Sequence, residues 1–148
     1  MRITLYEKTE LEIHGMCRWR SPFDNIEHHL QKINNKDRIF LHYGDLKDYI
    51  SLQKVVESVR PDFVFHLAAQ ALVPHSFTSP LETWTTNALG TVNVLESLRR
   101  LEKKCVAILI TSDKVYENKE WHWGYRENDQ LGGLDPYSAS KSAAELAI

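Results

Sequence analysis

RIFLHYGDLKDYISLQKVVESVRPDFVFHLAAQ, residues 38–70, holds the pattern that decides the fold. Its first part, residues 38–43, is a short apolar run closed by Gly44-Asp45 and reads as a strand. Residues 49–59 then place Ile50, Leu52, Val55, Val56 and Val59 at helical spacing. Pro61 ends that helix, because the residue before a proline is pushed out of the helical region. Phe63-Val64-Phe65-His66-Leu67-Ala68-Ala69 follows, apolar on both faces, as a strand buried in a parallel sheet should be. Outward from this unit, residues 81–101 read as one long helix with Val92, Leu95 and Leu98 on its packing side, and residues 106–110 as a second fully apolar strand. On the other side, residues 11–17 alternate weakly as a strand. Residues 26–33 have helical spacing after the turn-rich Ser21-Pro22-Phe23-Asp24-Asn25. Alternating strands and helices in this order predict an α/β fold, a doubly wound parallel sheet with right-handed crossovers.

The chain has 148 residues, 43% of them apolar and 26% charged, the composition of one ordinary soluble domain. A formal net charge of −2 argues against a nucleic-acid or anionic-membrane surface, which needs a basic excess. Met1-Arg2 opens no apolar leader, and no apolar run is long enough to span a bilayer, so a cytoplasmic location is expected. Cys17 and Cys105 lack the spacing of a zinc site and are expected as two small buried side chains in a reducing compartment. Of seven histidines only His28 and His29 are close in sequence, and adjacent helical positions point apart, so no metal site is expected.

Ligands of doubly wound sheets bind outside the carboxyl ends of the strands. The loops there are Ala68-Ala69-Gln70 and Thr111-Ser112-Asp113-Lys114. Residues 117–133 form a long connection rich in aromatics (Trp121, Trp123, Tyr125), which favours an ordered functional loop over a disordered one. Asp135-Pro136 is a good helix start, and it puts Tyr137 and Lys141, four apart, on one face of the first turns. An ammonium held near a phenol favours the phenolate, and such a tyrosine can take or give a proton at a sugar hydroxyl. By itself the YxxxK spacing more often marks a surface lysine beside a half-buried aromatic. Its place after a buried strand, Thr-Ser-Asp, an aromatic loop and Asp-Pro is what gives it meaning.

In that order the sequence resembles the extended short-chain dehydrogenase/reductase family, and within it the nucleotide-sugar 4,6-dehydratases of the CDP-glucose type. The resemblance rests on Thr111-Ser112-Asp113-Lys114-Val115-Tyr116-Glu117-Asn118, on Glu120-Trp121-His122-Trp123-Gly124-Tyr125-Arg126-Glu127, and on Gly132-Gly133-Leu134-Asp135-Pro136-Tyr137-Ser138. Phe65-His66-Leu67-Ala68-Ala69-Gln70 is similar to the strand and loop that pass the cofactor, and Thr86-Asn87-Ala88-Leu89-Gly90-Thr91 to the family's central-helix asparagine motif. Ile13-His14-Gly15-Met16-Cys17-Arg18 looks more like the GDP-mannose 4,6-dehydratases.

The resemblance implies a lyase of deoxysugar and lipopolysaccharide biosynthesis, with a nucleotide sugar as substrate and NAD as cofactor. Tyr137 would take the C4 hydroxyl proton, Ser112 would orient that hydroxyl, and water would then leave across C5 and C6. For the elimination, the positions of the family's Asp-Glu pair hold Asp113 and Lys114. Asp113 is the implied proton donor. Lys114 is either a C5 base, which it can be only when neutral, or the partner of a loop carboxylate. Cofactor contacts are implied at Asp45 and Leu46, at Leu67, Ala68, Ala69 and Gln70, at Asn87, and at Tyr137 and Lys141. Asp45 reads equally as a turn or cap residue. Arg18 stands where NAD-preferring sites often carry an acid, and an arginine can pair with a 2′-phosphate, which keeps NADP open.

The family's glycine-rich turn and the strand before it have no counterpart, since no glycine precedes Gly15. Leu5-Tyr6-Glu7-Lys8 is similar to the end of the helix that follows that turn. The expectation is therefore a partial Rossmann-like domain over residues 1–148. It would lack the first strand, the glycine-rich loop and the substrate domain, and its activity would be weak or nil. A homodimer through two-helix contacts is open, with the second interface helix cut short. An epimerase or GDP-mannose dehydratase relative, and a non-catalytic interaction domain, are the competing readings.

Overall fold

A computed structural model of the chain describes residues 4–22, 24, 26–34 and 37–148. Residue contacts group into two compact units, 1–45 and 46–148.

In the first unit helix α1 (Thr4–Lys8) leads into strand β1 (Ile13–Cys17), and a 3-10 turn (Glu27–His29) with helix α2 (Leu30–Asn34) leads into β2 (Ile39–Tyr43). The two strands pair in parallel, with Ile13 opposite Ile39 and Cys17 opposite Tyr43. Along β1, Ile13, Gly15 and Cys17 are half-buried and the residues between them exposed, the alternation of a strand with one covered face. Arg38 adopts a left-handed backbone (φ 54°) just before β2. Its guanidinium donates to the Thr9 carbonyl at 2.8 Å and lies over the Tyr6 ring at 4.6 Å, tying α1 to the strand entry. Pairing the strands also brings His14 Nδ1 and His42 Nε2, 28 positions apart, to 2.9 Å, which sequence proximity could not indicate. Within the turn-rich segment 21–25, Phe23 and Asn25 lie outside the described residues.

The second unit begins with helix α3 (Tyr49–Val59), capped where Asp48 accepts from the Ile50 N–H at 3.1 Å and closed by Arg60 in the left-handed conformation, φ 50°. Strand β3 (Phe63–His66) follows, then helices α4 (Val73–Thr78) and α5 (Pro80–Trp84). The helix expected over 81–101 is not uniform. A π-helical turn, Thr85–Leu89, separates α5 from α6 (Gly90–Arg99). Strand β4 (Val106–Leu109) pairs in parallel with β3, Phe63 opposite Val106 and His66 opposite Leu109. A 3-10 turn (Asp113–Val115) and helix α7 (Pro136–Ala147) complete the unit. The fold is the expected α/β arrangement of parallel strands. Among the described residues each unit has one sheet of two parallel strands.

The apolar core of this unit is Leu46, Leu52 and Val94, with Leu98 packed against it. It forms where α3 meets α6. Val92, expected on the packing side, is 44% exposed, and Ile50 on α3 is 54% exposed. Gly90, Thr91, Val94 and Ser97 are the buried residues of α6. Leu98, expected on the packing side with Val92, does pack against the core, while the fully buried residues of α6 lie to one side of that stripe. The two apolar strands are corrected too. Phe63, Phe65, Val106 and Ile108 are all exposed. Paired residues of parallel strands share a face, and among the described residues of this unit that face is uncovered. An apolar run reports what a strand could bury, and burial needs a layer on each side. The cysteines are half-buried and unbridged rather than fully buried, and partial burial raises both thiol pKa values.

Gly90 is a packing glycine. A Cβ there would stand 2.9 Å from Leu46 Cβ, so the segment leading into α3 approaches α6 closely only without it. Gly90→Ala is expected to lower stability by about 1–3 kcal/mol, read as a shifted urea midpoint at unchanged slope. An unshifted midpoint would contradict the packing described.

Candidate active site

Strand β4 delivers the first group of residues. Its ladder continues one residue beyond the strand, where the Ile110 N–H donates to the His66 carbonyl at 3.1 Å. Ser112 then caps the 3-10 turn, accepting from the Lys114 N–H at 3.2 Å. Its hydroxyl donates to Asp113 Oδ1 at 3.0 Å. Lys114 Nζ stands 3.2 and 3.4 Å from the two Asp113 oxygens. The bond from Lys114, and after it the bond from Ser112, hold the Asp113 carboxyl below its usual range. The reading of Lys114 as partner of a loop carboxylate is realised, with Asp113 as that carboxylate.

Helix α7 delivers the second group. Asp135 caps it, accepting from the Ser138 N–H at 2.9 Å, and Pro136 occupies its first turn. Burial works to raise the Asp135 pKa, but hydrogen bonds from Ser138 outweigh it and leave the carboxyl below its usual value. Tyr137 and Lys141 are 8% and 7% exposed, so this is no surface lysine beside a tyrosine. Lys141 Nζ donates to the Ile110 carbonyl at 3.1 Å, two residues before Ser112, which joins the helix pair to the strand-end group. Burial lowers the Lys141 pKa.

Asn87, on the π turn, is 2% exposed and its amide is fully engaged. Oδ1 accepts from the Gln70 N–H at 2.8 Å. Nδ2 donates to the Gln70 carbonyl and to Ser140 Oγ, each at 3.0 Å. Asn87 thus clamps the loop after β3 to the helix bearing Tyr137 and Lys141, and it has no donor left for a cofactor. The clamp joins Asn87 to partners 17 and 53 positions away, which no local signal in the sequence marks.

The aromatic loop is ordered. Tyr116 and Tyr125 stack at 5.2 Å, and the Tyr125 hydroxyl accepts from the Lys119 N–H at 2.9 Å while donating to Asn118. Backbone bonds from Glu117 to Gln130 and from Gly132 to Val115 close its base. Beside it lies a cleft of about 440 Å³ whose lining includes Asp113, Lys114, Tyr116, Tyr125, Asp135 and Ser138.

Of the other cofactor positions, Leu67 and Ala68 are exposed and Ala69 and Gln70 half-buried beside the Asn87 clamp. Leu46 packs its side chain into the core, and its carbonyl accepts from Asn93 Nδ2 at 2.8 Å. Arg18 and Asp45 belong to the first unit, Arg18 exposed and Asp45 half-buried. The residues fit a nicotinamide ribose in part. The small Ala68-Ala69 loop, the buried cation Lys141 and Tyr137 suit that end of a dinucleotide, whereas no glycine-rich turn is present for its phosphates.

Parallel strands joined by helices, with a serine at a strand end and a buried tyrosine and lysine one helical turn apart beside it, define an extended short-chain dehydrogenase/reductase. The family model for GDP-mannose 4,6-dehydratase matches residues 3–148, and the chain belongs to that family of nucleotide-sugar dehydratases. A CDP-glucose 4,6-dehydratase from Salmonella typhimurium is 49% identical over 105 residues, which is 71% of this chain and 29% of that protein. Among solved structures, Pal from Bacillus thuringiensis superposes with a TM-score of 0.78 at 26% identity, over 97% of this chain and 44% of that one. RMD from Pseudomonas aeruginosa, complexed with NADPH, gives 0.62 at 34% identity, over 73% of this chain and 38% of that one. The chain thus spans less than half the length of each of these three. Among the described residues no helix is long and apolar enough to cross a membrane.

Proposed function

We propose that the chain carries the catalytic residues of a nucleotide-sugar 4,6-dehydratase acting on CDP-glucose with NAD. The observation that supports this most is the bond from Lys141 Nζ to the Ile110 carbonyl, which ties the helix carrying Tyr137 to the strand end that leads into Ser112. The Asp113-Lys114 dipeptide, together with 49% identity to a CDP-glucose enzyme, supports the nucleotide. Tyr137 takes the C4 hydroxyl proton, and Ser112 holds that hydroxyl in line. The nicotinamide, when bound, accepts the C4 hydride and returns it at C6. Between these events the C5 hydrogen leaves as a proton and the C6 hydroxyl leaves as water, with the base and acid supplied by the Asp113 and Lys114 pair. One water is lost, and the sugar has no net change in oxidation state. A cytoplasmic location belongs to the same reading, as does a homodimer through apolar residues exposed on the helical run, such as Leu89 and Val92. Because these 148 residues contain no glycine before Gly15, turnover by them alone is weak or nil in this proposal.

The test is incubation with CDP-glucose, GDP-mannose and UDP-glucose plus NAD or NADP, with products read by mass spectrometry and binding by NMR. Loss of one water from CDP-glucose, abolished in Tyr137→Phe, is the expected product signature. Binding of CDP-glucose should shift the Ser112 and Tyr137 resonances even where turnover is too slow to see. Isomerisation without water loss would make it an epimerase. A preference for GDP-mannose would move it to that branch, and NADP binding in place of NAD would reassign the cofactor. A chain that binds none of the three sugars would favour an interaction domain.

A further inference from the structure

His66, the last residue of β3, has no role so far. It is 8% exposed, and its Nε2 lies 3.2 Å from Thr91 Oγ1 on α6. The next contact decides which atom donates. Thr91 Oγ1 is 2.7 Å from the carbonyl of Asn87, an acceptor with no hydrogen of its own, so the hydroxyl proton goes there. Only lone pairs of Thr91 then face the imidazole, and Nε2 must carry the proton. The same logic fixes the far end. Ser140 donates its hydroxyl proton to the Tyr137 carbonyl at 2.7 Å, so its oxygen accepts from Asn87 Nδ2.

His66, Thr91, Asn87, Ser140 and the Tyr137 backbone thus form one polar relay in which every donor points from β3 through the π turn toward the first turn of α7. A second path leaves from the backbone of His66. Its carbonyl accepts from the Ile110 N–H, and the Ile110 carbonyl accepts from Lys141. Both residues of the YxxxK pair are therefore held on connections that start at His66. Burial, and then the Lys141 ammonium, lower the imidazole pKa, so the ring is neutral near pH 7 and must choose one tautomer.

We propose that His66, as its Nε2–H tautomer, is a positioning residue: it anchors the π turn whose Asn87 holds the helical turn of Tyr137 and Lys141. A carbonyl or a second acceptor at this position could not serve, because Thr91 offers no proton. That the residues so held are a catalytic pair rests on the dehydratase reading above, while the geometry does not. The measurements below involve no turnover, so either can fail while the other stands.

The first is long-range ¹H–¹⁵N NMR of the intact 148-residue chain near neutral pH. A protonated Nε2 and bare Nδ1 on His66 are expected, and the opposite tautomer overturns the proposal. The second is amide hydrogen exchange in two variants, with α3 of the same unit as internal reference. His66→Gln keeps an N–H near the Nε2 position, and His66→Leu removes it. In His66→Leu the amides of the first turns of α7 should exchange about tenfold faster relative to α3, and in His66→Gln within about twofold of the parent. Equal acceleration of α3 and α7, or no rescue by glutamine, would show a bulk packing role and overturn the proposal. If His66→Leu does not fold, the tautomer measurement on the parent chain still decides.

Discussion

Asn87→Ala is expected to destabilise the second unit by about 3–5 kcal/mol, the largest single-residue effect outside the apolar core. The truncation leaves the Gln70 N–H and the Gln70 carbonyl without their partner at once and removes the bond that the Ser140 oxygen accepts, while the Ser140 hydroxyl keeps its bond to the Tyr137 carbonyl. Each buried polar group deprived of a bond costs about 1–3 kcal/mol, and water can reach Gln70 in part because it is half-buried. Asn87→Asp tests the same clamp differently. Its carboxylate can still accept from the Gln70 N–H, but it turns a second oxygen toward the Gln70 carbonyl where a donor is needed, and its charge would be almost fully buried. Urea denaturation should show both variants well below Ser140→Ala, which breaks one side-chain link of the cluster. A loss under about 1 kcal/mol for Asn87→Ala would mean that loop and helix hold without the asparagine.

The second large effect is at Gly133. A Cβ there would lie 2.3 Å from the Ala139 nitrogen and 2.5 Å from the Ser138 carbonyl carbon, both backbone atoms of α7. No rotamer can relieve that overlap, so either the loop or the start of the helix must move. Gly133→Ala should therefore cost on the order of 3 kcal/mol and displace Tyr137 with it. Two nearby glycines give the controls. At Gly132 the nearest atom is Glu117 Cβ at 3.3 Å, a tight contact that a shift of a few tenths of an ångström relieves, and a smaller loss is expected. At Gly124 nothing stands within 4 Å, and alanine should be neutral. Thermal unfolding of the three variants side by side checks the order. Gly133→Ala as mild as Gly124→Ala would show that the loop does not pack on the helix as described.

These expectations also mark what could be read without a structure. Residues 38–70 determined the strand, helix, strand unit, because Gly44-Asp45, Pro61 and the apolar spacing are local signals that the final fold leaves in force. The motif residues Ser112, Asp113, Tyr137 and Lys141 were legible for the same reason, a turn after a strand and a capped helix being short-range structures. The sequence could not show the π turn that interrupts the run after Pro80, where Asn87 meets Gln70 and Ser140, partners 17 and 53 positions away. Nor could it tell that Phe63 and Phe65 stay exposed, because strand hydrophobicity carries no information about whether a covering layer is present.

The sequence by itself thus determined the α/β order, the family and the identity of the candidate catalytic groups, all of which depend on residue type at short spacing. Only the tertiary structure decided their state and their support. Lys114 is tied to Asp113, Lys141 is buried against the Ile110 carbonyl, and His66 reaches Tyr137 through three intervening residues. Such contacts join positions tens of residues apart, and no local propensity encodes which distant donor will meet which acceptor.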